Sequence, residues 1–130
     1  MKLQSDCREK GFTLVEVLVA LIIITLLVTC FLPVFATASL MVRIAGEENR
    51  MSSYAFMVME YLRSYPGELK EGVTLADIDA EEVRKIPDGL TASLQVNRYG
   101  GESLYEVRVE VKSRVIKGKK LEFASIIAKH

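Results

Sequence analysis

Glu16 is the side chain whose chemistry most needs a partner. From Val17 to Val42 no residue is charged, a run of 26 mostly apolar residues. About 20 such residues in helical form cross a bilayer. A carboxylate at the edge of that run is costly to hold in lipid and calls for a counter-charge, such as an ammonium group. A second group of carboxylates, Asp77, Asp79, Glu81, Glu82 and Asp88, places oxygen ligands at alternate positions. That spacing suggests calcium, with Asp77, Asp79 and Glu81 as the candidates. Glu82 stands where a calcium loop of the helix-loop-helix type needs Gly, and no Glu follows at the twelfth position. The acidic group therefore reads as the capped start of a short helix, and neither a metal nor a cofactor is expected.

Other chemistries are excluded by what the chain contains. Its single histidine is His130, which removes Ser-His-Asp and Cys-His catalysis and His-rich metal sites. No phosphate-binding loop and no paired nucleophile and base are present, so no enzyme is expected. Cys7 precedes the apolar run and Cys30 lies inside it, so the two cannot pair within one chain. Cys30 reads as a small apolar residue. The 17 basic and 17 acidic residues cancel, and nucleic acid is not expected as a partner. Lys112, Arg114, Lys117, Lys119 and Lys120 form a basic run without interleaved aromatic rings, which reads as a solvated turn.

The elements that must position these residues follow from periodicity. Residues 1–11 are polar and mildly basic, and basic residues before the run favour a cytoplasmic N-terminus. A helix is expected from Phe12 to about Ser64, with a kink at Pro33. Ile44, Met51, Val58 and Tyr65 recur every seven residues, and Tyr54, Ala55, Tyr61 and Leu62 widen the stripe. Arg43 with Glu47, and Glu60 with Arg63, are spaced to pair on the opposite face. Pro66-Gly67 should end the helix. A short helix over about Asp79 to Lys85 is expected to be capped by Asp77 or Asp79. Strands are expected over Leu90–Tyr99, Leu104–Ser113 and Leu121–Ala128, turning at Gly100-Gly101 and Lys117-Gly118-Lys119. Three strands with one apolar face need a cover, and the striped half of the helix provides it. The expected fold is α+β, a long N-terminal helix on a three-stranded antiparallel sheet. The expected parts are residues 1–11 as a polar N-terminal segment, 12–42 as membrane segment and 43–130 as an extracytoplasmic domain. That domain divides into a helix (43–65), a loop with a short helix (66–89) and a β-meander (90–130).

Lys10-Gly11-Phe12-Thr13-Leu14-Val15-Glu16, followed by Val17-Leu18-Val19-Ala20-Leu21, closely resembles the class III signal of type IV pilins and type II secretion pseudopilins. By motif the resemblance covers about the first 30 residues. It implies a structural filament subunit and names its partners: prepilin peptidase, other pilin or pseudopilin subunits, an inner-membrane assembly platform and membrane lipid. Prepilin peptidase would cut between Gly11 and Phe12, removing residues 1–11 as a leader, and methylate the new Phe12 amine. Glu16 would attract the Phe12 amine of a neighbouring subunit. Cleavage turns an uncharged amide into an ammonium, and in a low-dielectric setting that charge attracts a carboxylate strongly. Val17-Leu18-Val19-Ala20-Leu21 looks most like minor subunits, the I-type pseudopilin and the V-type minor pilin, although Pro33 departs from the I-type. In major pilins a proline at this place accompanies local helix melting within the filament; a simple kink is the other reading of Pro33. Major pseudopilins also bind calcium, which bears on Asp77, Asp79 and Glu81.

The rival reading is a membrane-anchored or secreted small binding module with an ordinary targeting segment. Ala36-Thr37-Ala38 after the apolar run fits a small-x-small cleavage site. The apolar run is longer than the usual secretory one, and Glu16 interrupts its start.

Overall fold

The computed structural model describes residues 11–101 and 103–129. The leader expected at residues 1–11, with Cys7, lies outside them except for Gly11, and so does His130. The chain divides into two compact units, residues 1–41 and 42–130. Helix α1, Leu14–Ser64, contributes to both.

In the first unit every described residue is exposed. The helix starts two residues later than expected. The Thr13 hydroxyl accepts from the Glu16 amide at 3.2 Å, a side-chain cap on an otherwise orphaned N–H. Along the apolar run Thr25, Thr29 and Thr37 each donate to the carbonyl four residues back, at 2.8, 2.7 and 2.9 Å. The hydroxyls are thus satisfied inside the helix, as a hydrocarbon environment requires. Pro33 lies within α1 and the helix continues past it.

In the second unit α1 buries Glu47, Met51, Tyr54, Ala55, Val58 and Leu62. Met51 and Val58 bear out the expected seven-residue stripe; Ile44 is half-buried and Tyr65 is exposed. Tyr65 lies past the helix end, where its ring stacks on Tyr61 at 4.9 Å. The breaker pair acts as expected, opening a short 3-10 turn at Pro66–Glu68. Two expected ion pairs are corrected. Glu47 lies on the buried stripe and pairs with Arg50, not Arg43. Glu60 and Arg63 form no ion pair among the described residues.

Strands β1 (Leu90–Arg98), β2 (Leu104–Ser113) and β3 (Lys120–Ala128) form an antiparallel sheet in the order β1-β2-β3. The register runs from Leu90 opposite Ser113 to Arg98 opposite Tyr105, then from Leu104 opposite Ala128 to Lys112 opposite Lys120. Alternation in β2 sends Tyr105, Val107, Val109 and Val111 into the core and Glu106, Arg108 and Glu110 to the other face. Gly100 and Gly118 reverse the chain with φ of 61° and 78°. The inner sheet face and the α1 stripe close one core, which also takes Leu69, Leu75, Ile78 and Val83 from the connecting segment. Each fully buried Val or Leu contributes about 1.5–3 kcal/mol.

Helix α2 is one turn, Glu81–Arg84, shorter than expected. Its cap is Ala80, with no side-chain bond. Asp77 caps elsewhere: its carboxylate accepts from the Thr74 amide (2.9 Å) and hydroxyl (2.7 Å), closing the 3-10 turn Leu75–Asp77. The local partner three residues away outcompetes the helix that follows.

Candidate functional site

Gly11, Phe12 and Glu16 belong to the first unit. Gly11 is exposed, and a Cβ built on it would meet no atom within 4 Å. Phe12 is 81% exposed. Phe12 precedes α1 by two residues, and it lines an open groove with Glu16, Val17, Ala20, Leu21 and Ile24. Glu16 stands in the first turn of α1, where the helix dipole favours a negative charge. Among the described residues no cation forms an ion pair with it. The arrangement offers one carboxylate on a wholly exposed apolar helix, beside an exposed aromatic ring. Chemically it can receive an ammonium.

Pro33 lines a separate groove with Val34, Thr37, Ala38 and Met41. Cys30 is a free, exposed thiol in the same helix. The calcium candidates do not converge: among the described residues no three His, Cys, Asp or Glu side chains stand close enough to hold a metal. The Thr74 bonds hold the Asp77 carboxyl below its usual range.

Sequence reasoning missed two positions. Thr13 was read only as part of a motif; the signal for its cap is the Thr-x-x-Glu spacing ahead of an apolar run. The spacing from Arg43 predicts an exposed Glu47. It is 7% exposed and accepts from the Ser113 hydroxyl at 3.0 Å and from Arg50 at 3.2 Å. Ser113 in turn accepts from the amides of Val115 and Ile116, both at 3.1 Å. Arg50 also donates to the Asp88 carbonyl at 2.9 Å. The network ties α1 to the start of β1 and to the turn after β2. No local sequence signal could reveal it, because Ser113 is 66 positions away.

Two tyrosines complete the polar interior. The Tyr54 hydroxyl donates to the buried Val83 carbonyl at 2.7 Å, and burial raises its pKa. The Tyr61 hydroxyl donates to Glu68 at 2.8 Å, and this bond is the main reason its pKa is pushed up to about 12.

In comparison with known proteins, the prokaryotic N-terminal methylation motif matches residues 6–29. The matched segment contains Gly11, Phe12, Thr13 and Glu16. It is the type of signal found in pilin and pseudopilin precursors. No curated protein and no solved structure matches the chain. The long helix on a three-stranded antiparallel sheet is a pilin-like α+β fold.

Proposed function

We propose that this chain is a minor subunit of a type IV pilus or type II secretion pseudopilus. The observation that carries the proposal is the methylation motif lying directly on Glu16 at the head of an exposed apolar helix. Residues 1–11 act as the leader and 12–42 as the single membrane span, with the N-terminus cytoplasmic and residues 43–130 on the far side. Prepilin peptidase cuts between Gly11 and Phe12. Methylation of the new Phe12 amine leaves its charge in place, and Glu16 of a neighbouring subunit receives it. The inner-membrane platform then draws the helices into a bundle in which other subunits replace lipid around the apolar face. Processing thereby switches assembly on, because it creates the positive partner that Glu16 needs.

Open space around Gly11 supports access of the peptidase to the bond. The minor assignment rests on the Val17-Leu18-Val19-Ala20-Leu21 continuation. The test is mass spectrometry of the N-terminus after co-expression with a prepilin peptidase. The mature chain should begin at methylated Phe12, and Gly11→Ile should leave it uncut. A chain that still begins at Met1, or one clipped after Ala38, defeats the proposal and favours an anchored or secreted binding module.

A further inference from the structure

The turn between β2 and β3 is strongly basic and serves neither the core nor the helix start. Residues 112–120 carry five cations and no carboxylate. Three of the five are balanced from outside the turn: Lys112 and Lys120 meet Glu110 at 2.6 and 3.8 Å, and Lys119 meets Glu48. Arg114 and Lys117 have no carboxylate partner among the described residues. Between them stands Val115, 59% exposed, with Ile116 half-buried behind it. Arg114 Nε donates to the Thr91 hydroxyl at 3.3 Å. An apolar side chain flanked by two cations without a carboxylate partner among the described residues, at the tip of a turn, suits a surface that is anionic outside and apolar beneath.

The anchoring of the turn identifies that surface. Ser113 and Lys119, at its two ends, are held by Glu47 and Glu48 of α1. Glu47 follows Val42, the last residue of the uncharged run, by five positions. Five residues of helix rise about 8 Å, which is about one Debye length at physiological salt. With the uncharged run in a bilayer, a reading this inference rests on, the anchor of the turn stands only five positions of α1 past the end of that run.

We propose that the β2–β3 turn docks on anionic phospholipid of the bilayer that holds the chain's own apolar helix. Arg114 and Lys117 contact headgroup phosphates, and Val115 enters the interfacial layer. Each cation near an anionic leaflet shifts the balance toward contact about fivefold. Loss of both lowers it roughly 25-fold. The contact favours a domain resting on the membrane surface, and it must be given up when the subunit leaves the bilayer.

The chain has no tryptophan, so Val115→Trp supplies a unique reporter. The full chain is reconstituted in phosphatidylcholine vesicles with brominated acyl chains, with or without phosphatidylglycerol. Emission should be blue-shifted and quenched only when phosphatidylglycerol is present. The response should vanish in about 1 M salt, where the Debye length falls to about 3 Å, and in Arg114→Glu/Lys117→Glu. The unsubstituted chain gives a second reading. Phosphatidylglycerol should slow tryptic cleavage after Lys117 and leave cleavage after Lys85 unchanged. Solvent-like emission in both vesicles, with equal cleavage at Lys117, overturns the contact; so does protection by duplex DNA without protection by phosphatidylglycerol. Co-flotation with phosphatidylcholine vesicles reads anchoring separately. Vesicles that float the chain with no response at the turn defeat the turn contact alone, whereas a chain that does not float defeats the membrane reading and the contact with it.

Discussion

Glu47→Ala should be among the most damaging single changes in residues 42–130 that leave the apolar core intact. The substitution removes the acceptor of the buried Ser113 hydroxyl, 3.0 Å away. A buried donor left unmatched costs about 1–3 kcal/mol. The Arg50 pair adds less, because the guanidinium side chain is 50% exposed and solvent screens it to about 0–1 kcal/mol. The sum is about 1–4 kcal/mol. For a domain of this size each kcal/mol moves the melting midpoint by about 4–8 °C, so a fall of roughly 4–30 °C is expected. Glu47→Gln keeps an acceptor of the same shape and should lose about 1 kcal/mol or less. The assay is a thermal melt of the full chain in detergent, followed by circular dichroism of the sheet. Ser113→Ala should cost a similar amount, and the double variant should cost much less than the two singles together, because both lose one shared bond. A Glu47→Ala midpoint within about 3 °C of the parent, or strict additivity of the pair, would refute the reasoning.

Glu16→Ala should be cut and methylated normally yet fail to enter filaments, read by shear fractionation of cells; wild-type incorporation rules out the pairing role. Leu62→Ala empties a fully buried site and should cost about 2–5 kcal/mol, whereas exposed Arg63→Ala should stay within about 0.5 kcal/mol, and comparable midpoints for the two would misplace the core. Tyr61 has its pKa raised from 10.0 to about 12 by the bond to Glu68. A raised value means that the stability it contributes is fully present below pH 10 and is lost as pH climbs through about 12. Absorbance titration should show a late-ionising phenol that disappears in Tyr61→Phe; an unchanged curve counts against the bond.

What could be read in the sequence depended on how local the determining interactions were. The apolar run, the seven-residue stripe through Met51 and Val58 and the alternation of Tyr105, Val107, Val109 and Val111 are local patterns, and the structure places each where its period predicts. The turns at Gly100 and Gly118 were legible because their positive φ favours a residue without a side chain. Errors arose where a polar residue had two partners to choose between. The spacing of Arg43 and Glu47 fits an exposed ion pair, and the pair was lost to a serine on another element. The Asp77 carboxylate could cap the helix ahead of it or close the turn behind it, and Thr74 supplies two donors at once.

Glu47 and Glu16 pose one physical problem with two solutions. Each is a carboxylate on an otherwise apolar stripe of α1. In the folded second unit the chain brings its own donors to Glu47. In the first unit every described residue around Glu16 is exposed, and none of the described residues pairs with it. An apolar helix of this kind is covered by lipid or by other helices, and either cover lowers the dielectric around the carboxylate. Lipid leaves the charge to be met by water or headgroups at the boundary. A neighbouring helix that carries its own ammonium at Phe12 meets it directly. The pairing proposed for Glu16 is therefore the intermolecular counterpart of the one Glu47 already makes, and it exists only after the peptide bond before Phe12 is broken.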